Sequence, residues 1–299
     1  MEIYPLEKDG ILYGAIQTGE HNFYALENDT QAYLTSIAKF THLDFGKWSL
    51  DEPIYKYYID PDVVDDTRVK KLTTRLILSH QSGFTNWRGN IADGKLVFEF
   101  EPGTKYQYSG EGYEYLRKAL EKKFNKSLEE LAKELVFEPL NMHDTRFVLD
   151  KTMDSARFAK WHNENGELYE TEINLTSNAA DNLLATVQDY CKFMVSILNG
   201  AGISTKLYAE MVEEQVRIND FKYWGLGWWI DENIDINQEF ALIHGGDDIG
   251  VHTIAFIIPK TNQDLLIFAN SDNGTEAYAD VLVKFLKKNG EGILNIEMK

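Results

Sequence analysis

The chain of 299 residues contains a single cysteine, Cys191, so no intrachain disulfide can form. Cys191 lies in a helical pattern, which favours a core or half-buried thiol over a catalytic one. No apolar run approaches the length of a membrane span. The N-terminus lacks a basic segment followed by an apolar one, which predicts a cytoplasmic location for a full-length chain and a periplasmic or secreted one if a leader has been removed.

Positive charge is scarce. The sequence has 30 Lys and Arg against 48 Asp and Glu, a formal net charge of −18. An acidic surface repels phosphate backbones, which argues against nucleic acid as a partner. It also keeps a protein soluble, and no basic run is present that would attach the chain to a membrane surface. We expect a monomer without a membrane span.

Two common hydrolase signatures are also missing. The sequence has no Gly-x-Ser-x-Gly, the nucleophile elbow of α/β-hydrolases. It has no His-Glu-x-x-His, and its histidines are scattered, which argues against a metal hydrolase. The sequence therefore predicts neither a metal nor another cofactor.

The chain does have the composition of a folded protein, with 43% hydrophobic residues and many aromatics. Strand-like runs lie near both ends, at residues 11–26, 242–243, 253–258 and 265–269. Helical patterns lie between them, at residues 73–79, 110–124, 127 onward and 186–198, and a last one covers residues 277–286. Residues 51–70 are interpreted as an extended connection.

This order predicts a mixed α/β (α+β) fold, in which an antiparallel sheet built from both chain termini is flanked by helices. We assign residues 1–45 and 205–299 to the subdomain that contains the sheet. Residues 46–204 form a largely helical inserted subdomain. We expect the active site at the interface between the two.

Ser36 and Lys39 form a Ser-x-x-Lys motif near the start of a helical pattern over residues 32–43. Positions three apart share one face of a helix, so the amine can contact the serine oxygen. A lysine whose pKa is lowered can accept the serine proton. The motif alone is expected roughly once by chance in a chain of this size, and an ordinary capped helix with a surface lysine explains it equally well.

Two further segments place reactive side chains near turns. Tyr108 follows the turn at Pro102-Gly103 and immediately precedes a helix, so it can project into a cleft. His244 ends an apolar run and is followed by Gly245 and Gly246, which allow a ligand to approach the strand edge closely. Taken singly, each side chain is better interpreted as structural.

Taken in order, Ser36-x-x-Lys39, Tyr108-Ser109-Gly110 and His244-Gly245-Gly246 resemble the three motifs of serine β-lactamases, DD-peptidases and related esterases, most of all the class C branch. Other segments from about residue 10 to 286 are similar to sequences of that family. They are Leu76–Phe84, Pro102-Gly103-Thr104, Pro139–Thr145 and Tyr223–Trp228.

The resemblance implies a β-lactamase/transpeptidase-like fold and a serine hydrolase that acts on a small-molecule or peptide substrate. Ser36 would form the acyl-enzyme, and Lys39 and Tyr108 would share the proton transfers. The backbone N–H groups of Ser36 and Asp247 would bind the oxyanion. His244 would help to place the substrate and tune Tyr108.

Two departures from the family pattern leave a second function open. Gly110 stands where the family's Tyr-x-Asn motif has an asparagine that holds the substrate, which argues against efficient β-lactam hydrolysis. The helix after Lys39 is about two turns shorter than in the family. Both features fit a catalytically weak relative that binds penicillin or peptidoglycan. Trp87, near the cleft in relatives, is interpreted as a packing residue.

Overall fold

The computed structural model of the chain describes the backbone of Glu2–Lys8, Ile11–Gln17 and Tyr24–Glu27, and residues 48–148, 157–170 and 175–299 in full. Ser36, Lys39 and the predicted helix over residues 32–43 lie outside the described residues. Within the described part, the strands are β1 (Glu2–Lys8), β2 (Ile11–Gln17), β3 (Tyr24–Glu27), β4 (Leu183–Thr186), β5 (Val216–Arg217), β6 (Lys222–Trp224), β7 (Trp229–Glu232), β8 (Phe240–Asp248), β9 (Val251–Ile258) and β10 (Gln263–Ala269).

The described helices are α1 (Thr74–Leu78), α2 (Gly110–Phe124), α3 (Leu128–Ala132), α4 (Val187–Leu198), α5 (Thr205–Val212), α6 (Tyr278–Leu286) and α7 (Lys288–Glu297). A π-helical turn, Lys133–Phe137, continues α3. Each helix of this part of the chain is too short or too polar to cross a bilayer.

The strands confirm the predicted fold class. Eight of the described strands form one sheet in the order β1-β2-β10-β9-β8-β7-β6-β5, so both chain ends contribute to it. Its pairs are antiparallel except β2 with β10, which is parallel. The sheet also begins with a strand that the sequence did not predict, β1. The remaining pair, β3 and β4, forms a separate antiparallel ribbon.

Successive side chains of a strand point to opposite faces, which sorts the core into two layers. Ile243 of β8 packs in a cluster with residues of α6 and α7, such as Leu282 and Ile293. Leu242, the preceding residue, belongs to the larger cluster on the other face, with residues of the helical region such as Phe193. His244 shares the face of Leu242, so it points toward the helical region.

Helix ends follow the polar residues at their boundaries. The Ser127 hydroxyl accepts from the Glu130 N–H, and the Glu130 carboxylate accepts from the Ser127 N–H, which completes the predicted capping box of α3. The Ser109 hydroxyl caps α2 by accepting from the Gly112 N–H at 3.0 Å. This cap fixes where α2 begins, two residues after Tyr108.

The predicted extended connection over residues 51–70 is wrong. Three short 3-10 turns occupy much of it, at Ile54–Lys56, Pro61–Val63 and Thr67–Lys71. The carboxylates of Asp60 and Asp66 accept from backbone N–H groups two residues later and so start the second and third turns. Such local bonds offer the backbone an alternative to an extended strand.

Candidate active site

Tyr108 is held from both sides by one buried histidine. The N–H of Gln107 donates to the carbonyl of His80 at 2.9 Å, and the N–H of Ser109 donates to His80 Nδ1 at 3.0 Å. The two rings stack, with centroids 4.3 Å apart and planes inclined by 28°. His80 therefore fixes both the backbone around Tyr108 and the plane of its ring.

His80 is fully buried and lies in the left-handed backbone region at φ 54°. Burial lowers the pKa of His80 well below its usual 6.5, and the nearby His244 lowers it further. Because Nδ1 accepts a hydrogen bond, the neutral ring carries its proton on Nε2. At neutral pH, Tyr108 thus stacks on an uncharged imidazole.

His244 is buried on β8, and indoles of the hairpin formed by β6 and β7 surround it. The ring centroids of Trp224, Trp228 and Trp229 lie 6.4, 5.9 and 6.4 Å from that of His244. The hairpin contains the segment 223–228 that resembles a family motif. The segment that resembles the family motif therefore lies around His244.

Trp224 joins the two predicted site segments. Its ring centroid lies 4.5 Å from that of His80 and 6.2 Å from that of Tyr108, and it also contacts His244. Its Nε1 donates to the carbonyl of Leu78 at 2.9 Å, which fixes the indole on the end of α1. Trp224 thus contacts both Tyr108 and His244, which lie far apart in the sequence.

The end of β8 carries the other predicted substrate-binding residues. Gly245, Gly246 and Asp247 pair with β9 through Ile254, Thr253 and His252. The Asp247 carboxylate lies 2.8 Å from His252 Nδ1. The second ring nitrogen of His252 lies 3.0 Å from the carbonyl oxygen of Asp272, which connects this end of β8 to the segment after β10.

Gly110 opens α2, and its N–H donates to the Asn86 side-chain oxygen at 2.8 Å. Of the predicted site, the structure describes Tyr108, Gly110 and the segment 244–247. Ser36 and Lys39, the predicted nucleophile and its neighbour, lie outside the described residues.

Nowhere in the described ranges are three His, Cys, Asp or Glu side chains arranged to hold a metal ion.

Sequence reasoning missed His80 and Trp224 as parts of the site. His80 lies inside the segment 76–84 that resembles the family, but a histidine in a polar loop gave no indication of burial. Trp224 lies in the similar segment 223–228. The signal that identifies both is the position of these segments in the ordered motif set, since neither residue has a local chemical motif.

A model of the Beta-lactamase family matches residues 35–286 of the chain. Beta-lactamase-like protein 2 of Dictyostelium discoideum is 29% identical over 217 residues, which cover 62% of this chain and 39% of that protein. The chain spans about two fifths of the length of the curated relatives it matches.

Solved structures share the fold. The octameric penicillin-binding protein homologue from Pyrococcus abyssi superposes with a TM-score of 0.75 at 21% identity, over 91% of this chain and 67% of that one. The D-amino acid amidase from Ochrobactrum anthropi SV3, complexed with L-phenylalanine amide, superposes with a TM-score of 0.72 at 20% identity, over 99% and 92% of the two chains.

Proposed function

Because the chain belongs to the Beta-lactamase family, we propose that it is a serine hydrolase that forms an acyl-enzyme on Ser36 and hydrolyses an ester or an amide. The family match begins at residue 35 and so includes the Ser-x-x-Lys motif. The observation that carries the proposal is the placement of Tyr108. His80 holds it next to Trp224, which in turn contacts His244.

In the proposed mechanism, the Ser36 oxygen attacks the carbonyl carbon of the substrate. The hydroxyl proton passes to Lys39 or Tyr108 and then to the leaving group, which departs as an alcohol or amine. Water then attacks the carbonyl of the acyl-enzyme, one of its protons passes through Lys39 or Tyr108 to the departing Ser36 oxygen, and the acid product is released. The N–H groups of Ser36 and Asp247 bind the oxyanion in both halves of the reaction.

The surroundings of Tyr108 constrain how it takes part. A tyrosine that accepts the serine proton must first lose its own, and a nearby positive charge stabilises the resulting phenolate. The His80 ring beneath Tyr108 supplies no such charge at neutral pH, because burial lowers its pKa well below 6.5. In the proposal, Lys39 supplies the charge, so the amine and the phenol act as one unit.

The proposal places the site between the sheet subdomain, residues 1–45 and 205–299, and the helical insertion, residues 46–204. The contact of Trp224, from the first, with His80 and Tyr108, from the second, supports this division. The substrate is a small molecule or peptide. The expectation of a monomer stays a prediction, and the Pyrococcus relative is described as octameric.

A substrate panel tests the proposed activity. Purified protein is assayed with short-chain p-nitrophenyl esters, D-amino-acid peptides and nitrocefin, in parallel with Ser36→Ala and with Ser196→Ala, a partly exposed serine on α4. We expect turnover of an ester or amide by the unaltered protein and by Ser196→Ala, none by Ser36→Ala, and slow nitrocefin hydrolysis because Gly110 replaces the asparagine.

Two results contradict the proposal: no turnover of any substrate, or turnover that persists in Ser36→Ala. A stable adduct with nitrocefin that is formed but not released identifies the alternative, a catalytically weak relative that binds penicillin or peptidoglycan. The absence of the asparagine side chain at Gly110 is the observation that favours this alternative.

A further inference from the structure

The indole of Trp87 occupies the space into which a side chain at position 110 would project. A Cβ built on Gly110 would lie 2.6 Å from both Cζ2 and Cη2 of Trp87 and 3.0 Å from Cε2. These distances are far below carbon–carbon contact, which is about 3.5–4.0 Å. Residue 110 can therefore be only glycine while Trp87 keeps this position.

This space lies at the first turn of α2, two residues along the chain from Tyr108. Ser109 between them is extended, with φ −148° and ψ 108°. The Trp87 ring is half-buried, so part of it stays accessible to solvent. A partly exposed indole thus lies against the first residue of α2, two residues from the proposed proton-transfer group.

Bonds on both sides of Trp87 hold it in place. The side-chain oxygen of Asn86 accepts from the Gly110 N–H at 2.8 Å, and its carbonyl accepts from the Glu111 N–H at 2.9 Å. The Arg88 N–H and Nε donate to the Glu111 carboxylate at 3.0 and 2.9 Å. The residues before and after Trp87 are thus both attached to the first turn of α2.

Arg88 is anchored further by carboxylates of the connection before α1. Its guanidinium lies 3.0 Å from the buried carboxylate of Asp60 and 3.0 Å from that of Asp62. Hydrogen bonding and charge from Glu111 and Asp60 raise the pKa of Arg88, although burial opposes them, so the guanidinium stays charged. Bonds within the protein therefore fix the residues on both sides of Trp87.

We propose that Trp87 determines the specificity of the proposed hydrolase and selects substrates with a flat, apolar acyl group, namely aryl and arylalkyl esters or amides. This inference rests on the proposed function and names its substrate class. An indole offers a large apolar face and an aromatic quadrupole. Unlike the asparagine that the family has at position 110, it carries no carbonyl that can accept a hydrogen bond from a substrate amide. Stacking of this kind corresponds to a preference of roughly threefold to tenfold for an aromatic acyl group.

Matched esters test the specificity. The kcat/KM values for p-nitrophenyl phenylacetate and p-nitrophenyl acetate give a ratio that cancels effects common to both substrates. We expect the unaltered protein to favour the phenylacetate and Trp87→Ala to lower that ratio about threefold to tenfold. Trp87→Phe keeps an aromatic face and should retain most of the ratio.

Phe124→Ala is the matched control, because it truncates a partly buried aromatic at the other end of α2, about 21 Å along the helix axis. Its ratio should equal that of the unaltered protein. An unchanged ratio in Trp87→Ala, or no preference for phenylacetate in the unaltered protein, overturns the inference. Lower stability of Trp87→Ala with an unchanged ratio also overturns it, since Trp87 would then be structural only.

A second measurement tests the packing without any activity. Gly110→Ala should lower the melting temperature by several degrees when Trp87 is present, because the added Cβ meets the indole. The same change in a Trp87→Ala background should lower it little. Equal losses in the two backgrounds overturn the inference.

Failure of the proposed function has a different signature. If neither ester is hydrolysed and a fluorophosphonate leaves no adduct on the protein, the proposed function is wrong and the specificity inference falls with it. If the adduct forms and the ester ratio does not respond to Trp87→Ala, only the specificity inference is wrong.

Discussion

A Tyr108→Phe variant is expected to form the acyl-enzyme on the order of 10²–10⁴ times more slowly than the unaltered protein, the usual effect of losing a general acid–base group. Lys39→Ala should slow acylation by a similar factor. In the proposed mechanism, the two groups share the transfer of the Ser36 proton, so removal of either one interrupts it. Single-turnover kinetics with a p-nitrophenyl ester measure the acylation rate directly.

Folding should be little affected by Tyr108→Phe, because the phenylalanine ring can still stack on His80. Tyr106→Phe is the matched control. Tyr106 also lies against the rings of His80 and Trp224, with centroids 6.0 and 5.8 Å away. Burial raises its pKa to about 12, so its phenol stays protonated at neutral pH and cannot accept the serine proton. We expect Tyr106→Phe to keep its activity within about threefold. If ester hydrolysis persists in both Tyr108→Phe and Lys39→Ala, the assigned roles are wrong.

His80→Ala is expected to lower the free energy of unfolding by roughly 2–4 kcal/mol and kcat/KM by tenfold or more. The change leaves the N–H of Ser109 unpaired, which costs about 1–3 kcal/mol in a buried position. It also removes the stacking on Tyr108, which contributes about 0.5–1.5 kcal/mol. A tyrosine without this support loses the alignment that proton transfer requires.

The stability deficit of His80→Ala should depend on pH. In the unaltered protein, the folded-state pKa of His80 lies well below the unfolded value of 6.5. As the pH falls below 6.5, the unfolded chain therefore binds a proton that the folded protein does not. The unaltered protein then loses stability by up to about 1.4 kcal/mol per pH unit, and His80→Ala has no such loss.

Urea denaturation at pH 7.5 and 5.5 measures this difference, which should be larger at pH 7.5. The control is His143→Ala, which changes an exposed histidine and should alter stability by no more than about 0.5 kcal/mol at either pH. A deficit of His80→Ala that stays constant or grows as the pH falls contradicts the assignment of a neutral, buried His80.

The parts of the fold that were predicted correctly have strong local signals. The apolar spacing of Tyr113, Leu116 and Leu120 predicts α2, and Ser127 with Glu130 predicts the cap of α3. β1 was missed because apolar and polar residues do not alternate regularly along Glu2–Lys8. Its pairing with β2 is seen only in the structure. The turns in residues 51–70 were missed because aspartate side chains bond to the local backbone.

The site was predictable only in part. Tyr108 and His244 were found because each lies in a motif of an ordered set. The histidine on which Tyr108 stacks and the indole of Trp224 were missed, since their contacts form only when α1, α2 and the hairpin of β6 and β7 pack together. Trp87 was interpreted as a packing residue, and it does pack against the main core cluster. Nothing in its local sequence shows that it also lies against Gly110.

The most direct test of the central claim is intact-mass analysis after reaction with a fluorophosphonate, followed by peptide mapping. The proposed mechanism predicts one adduct on the unaltered protein and on Ser196→Ala, mapped to Ser36, and none on Ser36→Ala. The absence of an adduct on the unaltered protein, or an adduct that survives Ser36→Ala, would show that Ser36 is not the nucleophile of this protein.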